Sequence, residues 1–144
     1  MAGGQLNTMT YAPKAWGHEI WVTNSDKYCG KVLTVRKGGF CSYHYHKIKD
    51  EVLLLIKGSI RISYCDTPVQ DKPNAHISDD LKFYSDMVLV PGQAWHVPPF
   101  HAHQFLALED SEIVEFSTQH FDSDSYRITT SLADDHYYSN AVNY

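Results

Sequence analysis

The stretch from residue 38 to residue 58, GGFCSYHYHKIKDEVLLLIKG, places two histidines and a glutamate directly before an unbroken apolar run. Successive side chains of a β-strand point to opposite faces, so His44 and His46 share one face while Tyr43 and Tyr45 share the other. The two imidazoles therefore converge on one point. A hairpin connection would bring Glu51, at the start of the next strand, back beside them.

The rest of the chain is typical of an all-β protein. Short β-branched or aromatic segments such as EIWVT, KVLTVR, SIRISY and EIVEFS alternate with turns rich in Gly, Pro, Asp and Asn. A glycine turn followed by a strand that carries histidine inward occurs at Gly38, and again from Gly92 through PPFHAH to His103. This pattern predicts a double-Greek-key β-roll whose two halves share one pocket.

We expect a single domain, because 144 residues are enough for one core but not for two comfortable domains. Residues 1–13 predict a frayed N-terminal arm, and residues 14–121 the barrel. Residues 122–144 are polar and rich in tyrosine, which indicates a loosely held tail or a segment that docks on a partner subunit.

Composition disfavours several classes of partner. The net charge is −5 and the basic residues are scattered, so neither a nucleic-acid nor an anionic membrane partner is expected. The N-terminal residues lack the apolar core of a signal peptide, and no apolar run approaches membrane-spanning length. Three cysteines in no regular spacing indicate free thiols. We therefore expect a soluble, cytoplasmic protein.

The inward histidines and the glutamate predict a metal site. Three nitrogens and one oxygen suit a divalent Zn, Fe, Ni, Mn or Co ion, bound at about 2.0 to 2.2 Å if it is zinc. The predicted ligands are His44, His46, Glu51 and His103. The pattern leaves two roles open for His96 and His101, which lie near the pocket rim as outer-shell groups or substrate contacts. The remaining histidines are expected to be solvated or structural: His18, His76, His120 and His136.

The spacing Gly-x5-His-x-His-x4-Glu-x6-Gly, followed by Gly-x5-Pro-x4-His, resembles the two motifs of the cupin superfamily. Together with KAWGHEIW near the start, the chain looks like small single-domain relatives of the type II mannose-6-phosphate isomerase domain. It departs from that pattern at Ala15, where proline is usual, at Phe100, where glycine is usual, and at His44, where glutamine is common.

The resemblance implies a metal-dependent isomerase or epimerase that acts on a sugar or sugar phosphate. A base must then move a proton between adjacent carbons, and Glu115, between apolar neighbours, is the first candidate, with His101 as its rival. Lys14, Lys31 and Arg36 are candidate contacts for a phosphate group. A dioxygenase, a small-substrate lyase or a non-catalytic sugar-binding cupin are the alternatives. The family and the exposed strand edges also favour a homodimer.

Overall fold

The computed structural model of the protein describes residues 3–69 and 84–128 and confirms the predicted all-β fold. The strands, numbered in chain order, are β1 (Thr10–Lys14), β2 (Gly17–Asn24), β3 (Cys29–Val35), β4 (His44–Tyr45), β5 (Glu51–Lys57), β6 (Ile60–Cys65), β7 (Tyr84–Leu89), β8 (Ala94–Val97), β9 (His103–Ala107), β10 (Ser111–Ser117) and β11 (Tyr126–Arg127). A short 3-10 helix, Asp122–Asp124, precedes the last strand. Within the described ranges, no helix is long and apolar enough to span a membrane.

The strands form two antiparallel sheets in which neighbours come from distant parts of the chain. The six-stranded sheet has the order β1-β2-β3-β10-β5-β8, and the five-stranded sheet has the order β11-β4-β9-β6-β7. Strand β10 thus lies between β3 and β5, and β9 lies between β4 and β6. This interleaving places the two halves of the sequence pattern side by side, as a jelly-roll barrel requires.

The core lies between the two sheets and follows from strict alternation. In β3, every second residue from Cys29 to Val35 is buried, and the intervening residues are only partly buried. The core cluster combines Leu33, Leu55 and Ile113 of the larger sheet with Ile62 and Phe105 of the smaller one. Trp16 is 3% exposed and packs its ring edge-on against Phe105, with ring centroids 5.2 Å apart.

Two motif glycines close turns that other residues would strain. Gly38 and Gly58 have φ values of +80° and +92°, in the left-handed region. At Gly58, a Cβ atom would also lie 2.2 Å from Oγ of Ser111, so a larger residue would clash as well as strain the backbone. These turns set the start and the end of the segment that carries His44, His46 and Glu51.

Paired strands also lie outside residues 14–121, one on each side. Thr10–Lys14 pairs with β2 instead of fraying, and Tyr126–Arg127 pairs with His44–Tyr45. The first seven residues of the expected tail are thus part of the fold, because Asp124 and Ile128 are buried. The predicted homodimer stays a prediction, and β1 is an edge strand with Tyr11 exposed. His76, His136 and residues 129–144 lie outside the described residues.

Candidate metal centre

Three of the four predicted ligands form one histidine cluster. His44 in β4 lies directly opposite His103 in β9, and His46 follows β4 on the same face as His44. The ring centroids of His44 and His103 are 4.5 Å apart. One ligating atom from each of the three rings lies within 4.8 Å of the others. The sheet register therefore brings together histidines that are far apart in the sequence.

The three rings share one hydrogen-bonding pattern. In each, Nδ1 lies within hydrogen-bond distance of a backbone carbonyl, which can only accept, so Nδ1 carries the proton. The acceptors are Ser42 for His44 at 2.7 Å, Asp124 for His46 at 2.9 Å and His101 for His103 at 3.0 Å. In a neutral ring this leaves a lone pair on Nε2, the atom that would bind a metal. Carbonyl acceptors of this kind typically orient metal-ligating histidines.

Glu51, the fourth predicted ligand, lies beside the histidine cluster. Its contacts show whether these residues fit a metal. Its Oε1 atom lies 2.9 Å from Nε2 of His103 and 4.0 Å from Nε2 of His46. A neutral His103 with its proton on Nδ1 would direct a lone pair at this carboxylate oxygen, which is repulsive. A cation shared between the two atoms, either a proton or a metal ion, removes that repulsion. The three-histidine cluster therefore fits a divalent metal, and Glu51 lies beside two of its rings.

Burial keeps His44 and His46 neutral, and the surroundings of Glu51 keep it ionised. Loss of hydration lowers the pKa of His46 to about 4, and it lowers the pKa of His44 well below 6.5, with a further contribution from the neighbouring rings. Burial alone would raise the pKa of Glu51, but the charge of Lys49 and the interaction with the neighbouring His103 ring outweigh it, so its pKa is well below 4.5. Both protonation states are those that metal binding needs.

Behind Glu51 lies a buried group of charges centred on Lys49. The Nζ atom of Lys49 is 3.3 Å from Oε2 of Glu51 and 2.8 Å from Oε2 of Glu115. Burial would lower the pKa of Lys49, but attraction to Glu51 and Glu115 outweighs it and raises that pKa. The pKa of Glu115 is raised, first by burial and then by the charge of Glu51, against the attraction of Lys49.

A second buried ion pair forms the wall beside these groups. Nζ of Lys31 lies 3.4 Å from Oε2 of Glu19 and 4.1 Å from the centroid of the Trp21 ring. The Trp21 indole donates to the same carboxylate oxygen at 2.7 Å. Burial would raise the pKa of Glu19, but Lys31, Lys14 and this hydrogen bond lower it overall. Lys31 is 2% exposed, so it is a buried, paired cation instead of a solvated lysine.

These side chains line one cavity of about 110 Å³. Its wall includes the three histidines, both ion-paired lysines and their carboxylates, and also His120, which packs against Trp21. The cavity thus combines apolar walls, among them Trp16, Leu33 and Phe105, with one cluster of imidazole and carboxylate groups. Such convergence of buried ionisable groups is typical of an active site.

The structure places the other two rim histidines elsewhere. His101 lines a separate cavity of about 270 Å³ with Tyr64 and Trp95, and its Nδ1 lies 2.9 Å from the carbonyl oxygen of Pro99. His101 is absent from the wall of the smaller cavity, but His103 lines both cavities, so the base role of His101 stays a prediction. It acts on the cluster through its carbonyl, which orients His103. His96 is exposed and pairs with Asp50 at 2.7 Å.

The residues of the site that were not predicted include Lys49, His120 and Asp124. Lys49 has a signal in the sequence, since it has the same parity as Glu51, Leu53 and Leu55 and is buried with them. His120 was expected to be solvated or structural, but its side chain is 14% exposed and its Nδ1 lies 3.4 Å from Nζ of Lys49. Neither it nor Asp124 belongs to a repeating pattern that would indicate an inward position.

Comparison with known proteins indicates the family to which the chain belongs. A cupin family profile matches residues 28–138. A D-lyxose ketol-isomerase of Thermofilum sp. (strain ex4484_79) is 32% identical over 119 residues, covering 74% of this chain and 66% of the relative. This chain therefore spans just under two thirds of that protein's length.

Solved structures with the same fold are more distant in sequence. An L-ribose isomerase of Geodermatophilus obscurus has a TM-score of 0.63 at 16% identity, covering 83% of this chain and 72% of the other. The capsular polysaccharide assembling protein CapF of Staphylococcus aureus has a TM-score of 0.65 at 17% identity, with 86% and 33% covered. These values show a shared fold. Since the family profile covers most of the residues and the two interleaved sheets have this architecture, the chain belongs to the cupin family.

Proposed function

We propose that this protein is a divalent-metal-dependent aldose-ketose isomerase whose substrate is an unphosphorylated sugar. One observation carries the proposal: the histidine cluster, Glu51 and the buried Lys49–Glu115 pair line the same small cavity. A metal site and a proton-accepting group are the two parts that such an isomerisation needs. The 32% identical D-lyxose ketol-isomerase adds support from outside the structure.

The metal would be held by His44, His46, His103 and Glu51. When bound, it would supply Lewis-acid stabilisation of negative charge on two neighbouring substrate oxygens. The protein's own contribution begins with binding, because the small, largely buried chamber would exclude water from the reacting carbons. The polar side chains of the cavity wall would provide partners for sugar hydroxyls.

Glu115 would carry the proton between the two carbons. It is 6% exposed, it lines the cavity, and its pKa is raised first by burial and then by Glu51. A carboxylate with a raised pKa is a stronger base than one in water, which suits abstraction of a proton beside a carbonyl. Lys49 and Ser117 would hold it in place, since both donate to Oε2 of Glu115, at 2.8 and 3.2 Å.

The balance of buried charge favours a substrate without a phosphate. The two most buried cations of the cavity, Lys31 and Lys49, are already paired with buried carboxylates. A phosphate bound by either lysine would compete with its carboxylate partner and leave a buried charge poorly compensated, which is costly. Of the other two predicted phosphate contacts, Lys14 lines this cavity, whereas Arg36 lines a different surface cavity and donates to the carbonyl of Ala15.

The test is a substrate panel on protein loaded separately with Mn²⁺, Co²⁺, Zn²⁺ or Fe²⁺. Free aldoses, including D-lyxose and L-ribose, are compared with phosphorylated sugars of equal chain length. We expect isomerisation of a free sugar, at least about ten times slower turnover of the phosphorylated analogues, and deuterium incorporation beside the carbonyl in heavy water.

Three results would contradict the proposal. Faster turnover of the phosphorylated sugars would reject the unphosphorylated substrate. Oxygen consumption with Fe²⁺, without deuterium exchange, would favour a dioxygenase. Sugar binding without turnover under every metal would favour a non-catalytic cupin.

A further inference from the structure

The segment that follows β10 carries a buried carboxylate with an unusual set of partners. Asp124 is 3% exposed although it lies in a polar stretch, DSDSYR, at the end of the 3-10 helix. Its Oδ1 atom accepts hydrogen bonds from the backbone N–H groups of Lys47 at 2.9 Å and Ile48 at 3.1 Å. Its Oδ2 atom accepts from Ile48 at 3.2 Å and from Lys49 at 2.9 Å.

Three consecutive backbone N–H groups thus point at one carboxylate. Successive N–H groups of this kind form a concave anion-binding site, and here the anion is a side chain of the same protein. Hydrogen bonds to an ionised acceptor are roughly twice as strong as those between neutral groups. Asp124 therefore fixes the conformation of residues 47–49, the turn that joins the ligand His46 to the strand that begins with Glu51.

The same residue also contacts the metal cluster directly through its main chain. The carbonyl oxygen of Asp124 lies 2.9 Å from Nδ1 of His46, and this bond places the ring proton on Nδ1 and leaves Nε2 for the cluster. The carboxylate holds the turn that follows His46, and the carbonyl holds the His46 ring. If the carboxylate released the turn, the carbonyl would lose its position as well.

We propose that Asp124 is a positioning residue of the metal centre, which it serves by orienting His46 and by fixing the turn that carries Lys49. The proposal rests on the metal site of the proposed function, because its main consequence is for metal affinity. Outer-shell partners of metal-ligating histidines typically contribute about 10- to 100-fold to affinity. Asp124 would do so from a segment that is more than 70 residues distant in the chain.

The experiment compares Asp124→Asn and Asp124→Ala with the wild-type protein. Asp124→Asn keeps the volume and one acceptor oxygen but directs an NH₂ group at backbone donors, so it tests the contact with little risk to folding. We expect both variants to bind Zn²⁺ about 10- to 100-fold more weakly in competition with a chromophoric chelator. The visible absorption spectrum of the Co²⁺-loaded protein should change as well, because the position of His46 changes.

The matched control is Asp110→Asn. Asp110 is exposed, its Oδ1 atom accepts a hydrogen bond from the backbone N–H of Lys37 at 2.9 Å, and it lines a different surface cavity. The Asp110→Asn variant loses the same kind of contact, but far from the histidine cluster. Its Zn²⁺ affinity and the spectrum of its Co²⁺-loaded form should therefore stay at wild-type values. Equal affinity and an unchanged spectrum in both Asp124 variants, even with a lower melting temperature, would overturn the proposal and leave a purely structural role.

A measurement on the metal-free protein separates this proposal from the metal site itself. Nitrogen-15 NMR of the histidine rings should show the His46 proton on Nδ1 in the wild type and a mixture of both tautomers in Asp124→Ala. If the wild type binds no metal, the proposed function fails, and the tautomer result still decides the role of Asp124. An identical His46 tautomer in wild type and variant would reject it.

Discussion

The Nζ atom of Lys49 lies 2.8 Å from Oε2 of Glu115, and both side chains are almost fully buried. The sheet register explains this contact. Glu115 in β10 lies opposite Leu53 in β5, and Lys49, which precedes β5, is buried on the same side of the chain as Leu53. The lysine therefore compensates two carboxylates at once, since Glu51 is 3.3 Å away. A single side chain thus links the metal ligand to the proposed base.

Replacing Lys49 with methionine should destabilise the fold and impair the site. The substitution leaves two buried carboxylates without their shared cation, and breaking a buried pair typically costs about 3 to 5 kcal/mol. We expect a loss of this size in the free energy of unfolding by urea titration. Lys57→Met is the control, because Lys57 is exposed at the end of β5, the strand that follows Lys49. This substitution should change the free energy of unfolding by less than about 0.5 kcal/mol. Equal effects of the two substitutions would contradict the arrangement.

Glu115→Gln should separate chemistry from metal binding. Glutamine keeps the shape of the side chain but cannot accept a proton, so turnover of the sugar substrate should fall by about 100-fold or more. The amount of bound metal should stay at the wild-type level. Both quantities can be measured on one preparation, by steady-state kinetics and by elemental analysis. Glu112→Gln, an exposed position on the same strand, should leave both unchanged. Full activity in Glu115→Gln would move the base role to another residue.

The strand pattern and the ligand spacing were predictable because both depend on local periodicity. Alternation places His44, His46 and Glu51 inward, and the glycines mark the turns. The same alternation would have indicated Lys49 and Lys31, each of which shares parity with core residues. Both are lysines, which are seldom fully buried unless they are paired. Their pairing partners could not be recognised without the sheet order, so an exposed position was the natural expectation.

Asp124 could not be predicted from local pattern at all. Its partners are the His46 ring and the main-chain N–H groups of residues 47–49, and nothing in the letters DSDSYR distinguishes it from a solvated aspartate. The same reason applies to the pairing of β11, which lies beyond residue 121. A strand of two residues, Tyr126–Arg127, is too short to show alternation, and it is held by contacts with β4 that are set by tertiary structure.

Removal of a cluster histidine should abolish tight metal binding, whereas removal of a rim histidine should not. His103→Ala or His46→Ala removes one of four ligands, so affinity should fall by more than the roughly 10- to 100-fold typical of outer-shell changes. His96→Ala is the matched control, since its side chain is 59% exposed and pairs with Asp50 instead. Elemental analysis after dialysis against a weak chelator gives the measurement. Metal retained equally in all three variants would exclude the assigned ligands.

The free energy of unfolding at acid pH should depend on the buried ion pair between Lys31 and Glu19. The pKa of Glu19 in the folded protein is below its ordinary value of 4.5, because Lys31, Lys14 and Trp21 outweigh the effect of burial. This interaction therefore stabilises the fold fully above about pH 4.5, and the stabilisation is lost as the pH falls through the lowered folded-state pKa.

Glu19→Gln should accordingly be less stable than wild type at pH 7, by about 1.5 to 3 kcal/mol, the usual contribution of a hydrogen bond to a charged group. The difference should shrink as the pH drops below 4.5. Unfolding curves at pH 7, 5, 4 and 3 test this, with the exposed Glu109→Gln as the control. A difference that is independent of pH would show that the carboxylate charge of Glu19 is unimportant.

Phe100 is the one described non-glycine residue with positive φ, at 66°, and it occupies the position where related cupins were expected to have glycine. The left-handed conformation costs a residue with a Cβ atom about 1 to 2 kcal/mol, whereas glycine tolerates it at an entropic cost of about 0.5 to 1 kcal/mol. Phe100→Gly and Phe100→Ala both lose the ring, so their difference isolates the backbone. We expect Phe100→Gly to be more stable by about 0.5 to 1 kcal/mol in urea unfolding. At His96, in the extended strand β8, the order should reverse, with alanine more stable than glycine. If alanine were also the more stable at position 100, the left-handed turn before His103 would not exist in solution.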